Sequence, residues 1–171
     1  MKIATATIPS PVGTLTLIAS DRGLRAALTA GERDGRIPLS GPLHEDQEHP
    51  VIAEAARQLD EYFAGERTTF DLPLDPEGTD FQQAVWQVLR EIPYGETISY
   101  GEQARRLGDP RKARAVGAAN GRNPISIIVP CHRVIGASGD LTGYAGGLDV
   151  KRSLLALEQR VRTGAEQLTL S

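Results

Sequence analysis

The 171-residue sequence holds one cysteine, Cys131, and three histidines, which excludes an intrachain disulfide and a zinc-finger ligand set. No apolar run approaches the ~18 residues that a membrane helix needs. The segment Met1-Lys2-Ile3-Ala4-Thr5 carries no apolar signal core, so a cytoplasmic protein is expected. Lysine occurs only at positions 2, 112 and 151, so nearly all positive charge is arginine. Arginine suits phosphate and base contacts, because its planar fork matches their acceptors. No internal repeat is found. What is present is ordinary: 40% hydrophobic and 24% charged residues, a globular composition in a length that allows one domain or two small ones.

The net charge of −3 conceals a split. Residues 1–78 carry 7 basic and 13 acidic side chains, whereas residues 79–171 carry 12 and 9. Within 105–133, Arg105, Arg106, Arg111, Lys112, Arg114, Arg122 and Arg133 stand against Asp109 alone. Such an excess in a mildly acidic protein fits a nucleic-acid contact face, with a solvated arginine-rich surface as the plainer reading.

The first half reads as a small α+β unit. Strands are predicted over 2–8, 14–20 and 24–30, with turns at Pro9-Ser10-Pro11-Val12-Gly13 and Asp21-Arg22-Gly23. Residues 31–49, polar and rich in Gly and Pro, read as a loop; His44 and His49 lie there with no cysteine to complete a metal site. Val51, Ile52, Ala55, Ala56, Leu59 and Phe63 mark an amphipathic helix ending at Gly65. A short strand near 68–74 and a linker at Asp75-Pro76-Glu77-Gly78 follow.

The second half opens with Thr79-Asp80-Phe81-Gln82, a capping-box pattern, and a helical stripe of Phe81, Val85, Val88, Leu89 and Ile92 stopped at Pro93-Tyr94-Gly95. Ser99-Tyr100-Gly101-Glu102 is a second such box, and its short helix ends at Gly108. Asp109-Pro110 restarts the chain, Asp as N-cap and Pro where its missing N–H is harmless. Two short helices across a tight turn, the second bearing Arg111, Lys112 and Arg114, have the layout of a helix-turn-helix. Ile125-Ser126-Ile127-Ile128-Val129 reads as a buried strand leading to Pro130-Cys131-His132-Arg133-Val134. A turn-rich stretch, 136–147, precedes a last helix over 149–162 with Val150, Leu154, Leu157 and Val161 inward, and 163–171 reads as a tail.

A lone cysteine is most often a small buried hydrophobe. Here Cys131 follows Pro130 at an expected strand end, beside His132 and Arg133, which favour thiolate over thiol, and just after the basic run. A free thiol is only a few per cent ionised at neutral pH, so a positioned base matters. Adjacent strand side chains point apart, so His132 assists only through a turn or a water.

Pro130-Cys131-His132-Arg133-Val134, preceded by Arg114-Ala115-Val116-Gly117 and Asn120-Gly121-Arg122-Asn123-Pro124, resembles the signature of the O6-alkylguanine-DNA alkyltransferases (methylated-DNA–protein-cysteine methyltransferases). The resemblance spans at least 79–162, with Ile92-Pro93-Tyr94-Gly95-Glu96-Thr97 and Thr142-Gly143-Tyr144, and the first half is similar in layout. It implies an α+β fold: a ribonuclease-H-like N-terminal domain (1–74, antiparallel sheet plus helix) and a winged-helix-like DNA-binding domain (79–162). It also implies repair of O6-alkylguanine by irreversible alkyl transfer to Cys131, with the recognition helix in the minor groove and the target base flipped into a pocket.

Residue roles are carried over on the same terms. Cys131 is the nucleophile; His132 takes its proton through a water, and Glu158 orients His132. Tyr100 donates to the guanine ring as charge builds on the leaving group. Arg114 fills the gap left by the flipped base, and Asn123 bridges the recognition helix and the cysteine segment. Tyr144 and the 141–146 loop wall the pocket, and Arg133, Val134 and Ala145 are counted with the substrate and DNA contacts. Ala145 stands where some members have serine, so only its backbone N–H is left for the alkylated oxygen. The zinc-site cysteines of some animal members are missing, so neither metal nor cofactor is expected.

The partner expected is double-stranded DNA carrying O6-alkylguanine, bound by a monomer; action on O4-alkylthymine and cooperative assembly on DNA are left open. Three rival readings are a non-enzymatic lesion sensor, a plain winged-helix regulator and a cysteine hydrolase. The first lacks an acceptor thiol, the second would ignore alkylation, and the third would turn over and needs a triad that His44 or His49 serves poorly.

Overall fold

A computed structural model describes residues 3–30, 32 and 42–170. The chain forms an α+β molecule, a small sheet backed by one helix and then a helical half. Strands β1 (Ile3–Ile8), β2 (Leu15–Ser20) and β3 (Gly23–Thr29) form an antiparallel meander. Period-two alternation turns Ala4, Ala6, Leu15, Leu17, Leu24 and Ala27 toward the main core, and Ile3, Ile18 and Ala26 toward a small cluster of their own. Helix α1 (Pro50–Phe63) lays Ile52, Ala55, Leu59 and Tyr62 on the main core face. It starts where the His49 ring accepts the Val51 N–H, with Pro50 in the first turn, and stops at Gly65, whose φ of 78° suits glycine after a helix end.

Three expectations for this half need correction. The 31–49 loop contains a strand, β4 (Leu43–Glu45), which pairs parallel to the outer edge of β1, so the sheet is mixed, in the order β3-β2-β1-β4. Its three side chains, His44 included, are all exposed, so no hydrophobic alternation announced it. Residues 31 and 33–41 lie outside the described residues. The predicted 68–74 strand is an irregular segment touching β3 at the single bridge Leu24↔Leu74. The Gln58 amide takes the place of a strand partner by bonding both the N–H and C=O of Asp71, at 2.8 and 2.7 Å. The predicted linker is anchored as well: Asp75 accepts from Ser20 and Arg25, and Glu77 pairs with Arg25.

In the second half, the Thr79–Gln82 box is complete at the start of α2 (Asp80–Arg90). Ser99 caps α3 (Tyr100–Arg106), but Glu102 turns to Arg105, so that box is half-formed. Asp109 caps a 3₁₀ turn (Pro110–Lys112) that feeds α4 (Ala113–Asn120). The pair is locked by reciprocal amide bonds between buried Gln103 and Asn120, at 2.9 and 2.8 Å, and by the Trp86 indole donating to the Ala119 carbonyl. Two short parallel strands, β5 (Ile98–Ser99) and β6 (Val134–Ile135), flank it.

The expected strand over 125–129 is a buried turn. Ile127 takes φ 74°, which β-branched residues avoid, and only Ile125 pairs with a strand, β3, at Ala27. The run is apolar because it is buried, not because it is extended. The last helix, α5 (Leu148–Leu170), continues through the expected 163–171 tail to Leu170. Gly164 does not stop it, and Ala165, Glu166, Gln167 and Leu168 are good helix formers. Among the described residues no helix is long and apolar enough to cross a membrane.

Candidate active site

Cys131 opens a 3₁₀ turn, Cys131–Arg133, rather than ending a strand. The tight turn swings His132 inward while Cys131 stays partly exposed. Asn123 holds the approach from below. Its amide nitrogen donates to the Val129 carbonyl at 2.9 Å and to the Cys131 Sγ at 3.3 Å, and its oxygen accepts the Ile125 N–H at 3.0 Å. Its own N–H reaches the Asn120 carbonyl at the end of α4, so one residue joins that helix to the cysteine turn. An amide donor at Sγ favours the thiolate.

Behind the cysteine lies a buried cluster of charges. Glu158 receives five donors: Arg133 Nε at 2.8 Å and the Gly95 N–H at 3.2 Å on Oε1, and His132 Nε2 at 2.6 Å, the Tyr62 hydroxyl at 2.7 Å and Arg133 at 3.1 Å on Oε2. Burial alone would raise its pKa, but the hydrogen bonds and charges of His132 and Arg133 win and hold it down at about 2. His132 is fully buried; burial lowers its pKa, and Arg133 and Lys151 offset part of the pull from Glu158. A neutral imidazole bonded to an ionised carboxylate through Nε2 carries its proton there, leaving Nδ1 as the basic nitrogen. That Nδ1 is buried without a protein partner, the condition under which one water can join it to a nearby thiol.

In front of the cysteine, Tyr100, Gly117, Asn120, Gly121, Cys131, Gly143, Tyr144 and Ala145 line a pocket of about 150 Å³. Gly117 faces the Tyr100 ring, where a β-carbon would sit 3.7 Å away. The Tyr100 hydroxyl donates to the Thr142 carbonyl at 3.3 Å, across the pocket mouth. Lys151, buried on α5, fastens the far wall by donating to the carbonyls of Val134 and Thr142, both at 2.7 Å. The wall also rests on β3: a β-carbon on Gly146 would meet Thr29 Oγ1 at 2.4 Å, and Glu32 bonds both Thr29 and Ser126.

Of the residues singled out in the sequence, Cys131, Tyr100, Tyr144 and Ala145 thus line one pocket, with Asn123, His132 and Glu158 packed behind it. Arg114 is exposed on α4. Arg133 and Val134 do not belong with the substrate and DNA contacts. Arg133 is 6% exposed, tied to Glu158 and the Ile92 carbonyl and stacked over Tyr94, because a buried carboxylate needs a buried cation. Val134 is fully buried in β6, and its carbonyl accepts from Lys151. The basic run is also less free than its sequence suggests, since Arg105 and Arg106 both pair with Glu102 and Arg111 pairs with Asp109. Lys112, Arg114 and Arg122 complete the exposed positive face, and the first turn of α4 has no acidic residue.

Lys151 and Tyr62 have no site role in the sequence reading, and Gly95 enters it only as a helix stop and as part of the Ile92–Thr97 motif. A usable signal exists for Lys151: it stands seven residues before Glu158, with Leu154 between, so one face of α5 repeats every two turns. That face is the buried one, and of the expected stripe Val150, Leu154, Leu157 and Val161 only Leu154 is fully buried.

A family model described as 6-O-methylguanine DNA methyltransferase, ribonuclease-like domain, matches residues 3–76, and one described as 6-O-methylguanine DNA methyltransferase, DNA binding domain, matches residues 80–160. The methylated-DNA–protein-cysteine methyltransferase of Methanosarcina acetivorans is 53% identical over 150 residues, covering 87% of this chain and 94% of its own. That of Mycobacterium tuberculosis is 54% identical over 153 residues, covering 90% of each. A crystal structure of Mycobacterium tuberculosis OGT in complex with DNA superposes with a TM-score of 0.84 at 51% identity, covering 94% of both chains.

Proposed function

The chain belongs to the 6-O-methylguanine DNA methyltransferase family, and from that premise we propose that it repairs DNA directly, by moving the alkyl group of O6-alkylguanine onto Cys131. The observation that carries the assignment is the single cysteine: a protein-cysteine methyltransferase that accepts on its own chain has here only one acceptor. We take residues 1–74 as the ribonuclease-H-like half and 79–162 as the DNA-binding and acceptor half.

DNA meets the exposed face of α4, where Arg114 stands beside Ala115 and Ala118, small side chains that permit close approach to a groove. The lesion leaves the stack and enters the pocket against Cys131, with Arg114 taking its place in the duplex. His132 Nδ1 takes the thiol proton through a water, while Glu158 balances the imidazolium at Nε2. The thiolate attacks the alkyl carbon on the side opposite O6; a C–S bond forms as the C–O bond breaks, and the electron pair goes to the guanine. Tyr100 donates to the ring as that charge grows, turning from the Thr142 carbonyl to the base. The guanine takes up one proton there, and the proton that His132 took from the thiol returns through water to Tyr100, leaving neutral guanine and a neutral imidazole. The Ala145 N–H serves O6. A thioether has no ready reversal and there is no second thiol, so each molecule acts once. We place the protein in the reducing cytoplasm as a monomer, since one chain holds every group the reaction uses; sedimentation with DNA tests for cooperative assembly.

Cys131→Ser separates chemistry from recognition. The hydroxyl keeps the pocket's shape but is far less ionised than a thiol. The variant should bind O6-methylguanine DNA as the parent does before reaction and transfer nothing. Residual transfer would mean another acceptor, and equal loss of binding would mean that Cys131 shapes the pocket rather than reacting.

A further inference from the structure

One buried tyrosine takes no part in the reaction as proposed. Tyr62 belongs to α1, in the half that supplies no other group to the reaction, yet its hydroxyl donates to Glu158 Oε2 at 2.7 Å, across 96 residues of sequence. It is fully buried, held edge-on by Tyr94 and against Phe70. The same oxygen takes His132 Nε2 at 2.6 Å and Arg133 at 3.1 Å. A carboxylate oxygen has about two lone-pair sites, so three donors compete for them, and whatever Tyr62 takes is withheld from His132.

We infer that Tyr62 is a positioning residue that restrains His132 by sharing Oε2 of Glu158, and so keeps more of the resting Cys131 in its thiol form. The inference rests on the role proposed above for His132 and Glu158. A protein that uses its thiol once gains from such restraint, because a thiolate exposed to solvent is lost to stray electrophiles and oxidants. Burial and the neighbouring Glu158 raise the Tyr62 pKa far above the usual range, so it remains a donor at every working pH. The other titratable or charged groups facing this cluster are Tyr94 after α2, Cys131, His132 and Arg133 in the 3₁₀ turn, and Lys151 and Glu158 on α5, with Arg160 acting on Tyr94. Arg133 and Lys151 are fixed by hydrogen bonds, and the Tyr94 hydroxyl has no protein partner. Tyr62 is therefore the donor on Oε2 that can be removed without removing either the Arg133 charge or the His132 base.

The test is the pH dependence of Cys131 alkylation by iodoacetamide in the full chain without DNA, followed by intact mass. Tyr62→Phe frees Oε2 for His132, strengthens the imidazolium and should move the midpoint about one pH unit toward acid, the size of one charge-assisted hydrogen bond. At neutral pH its thiol should react several-fold faster than the parent's. Placing 3-fluorotyrosine at position 62, a stronger donor of nearly the same shape, should move the midpoint toward alkali, and it decides the matter should the Phe variant fail to fold. Profiles that superimpose on the parent's, or a Phe variant shifted toward alkali, would overturn the inference. Methyl transfer from O6-methylguanine DNA, measured in parallel on the parent, reports separately on the function: no transfer there with the shifts intact would overturn the repair reading and leave the tuning of the thiol standing.

Discussion

Among single residues, Glu158 sets the charge balance behind the cysteine. Its pKa of about 2 and the lowered value of His132 both make the folded chain refuse protons that the unfolded chain accepts. Stability should therefore fall as pH drops below about 6.5, where an unfolded histidine charges, and fall again below about 4.5 toward 2 as Glu158 is protonated. Urea denaturation across this range should show both steps. Glu158→Gln should shrink the lower one, leaving the share of Asp75 and the other paired carboxylates, and, by leaving Arg133 buried without its counter-charge, remove about 3 kcal/mol of stability at neutral pH. In single-turnover assays the same variant should transfer about 10²-fold more slowly, with its optimum displaced toward alkali, where thiolate forms unaided. Parental rates at every pH would reduce Glu158 to a structural ion pair. How much of this could be read in the sequence differs by residue. Cys131 and His132 stand in a five-residue motif, whereas Glu158 was found only by resemblance, since a carboxylate on a long helix usually faces water. Tyr62 was hidden because position 62 fits the apolar face of α1 equally well as plain core.

At the scale of elements, the 141–146 wall depends on α5 and on β3. Lys151→Met keeps most of the volume but frees the Val134 and Thr142 carbonyls, so transfer should fall at least about tenfold while the helices persist by circular dichroism. Gly146→Ala drives a methyl group into Thr29 Oγ1 and should displace the wall. Its transfer rate should fall more than its DNA affinity; equal losses would place the damage on α4 instead. The helices and their caps were legible because Thr79, Ser99 and Asp109 act through short-range hydrogen bonds. The strand expected at 125–129 was not, because β-branched residues mark burial as readily as extension, and the Asn123 hydrogen bonds that bend the chain are tertiary. Nor was β4: three exposed residues at a sheet edge carry no alternation, and their pairing with β1 is set by the fold.

At the scale of the whole molecule, charge is divided as the chain is, an acidic first half and a basic face around α4. Once the internal pairs are set aside, Lys112, Arg114 and Arg122 remain, so log affinity for DNA should fall against log salt with a slope of about −3. Arg114→Ala should reduce that slope by about one and slow repair without changing the fold; an unchanged slope would turn α4 away from DNA. The two halves are joined at the site itself, Tyr62 on Glu158 and Glu32 on Ser126, so the first half shapes the chemistry as well as the core. The sequence pattern could not reveal that joining, because it lies in contacts between residues about 95 positions apart.

The most direct measurement is intact-mass spectrometry of the protein after mixing with excess O6-methylguanine duplex, with peptide mapping of the product. One methyl group per chain, on Cys131, formed in step with the loss of lesion and then no further reaction, is the predicted result. Lesion removal beyond one equivalent, a methyl group on any other residue, or binding with no gain in mass would contradict it.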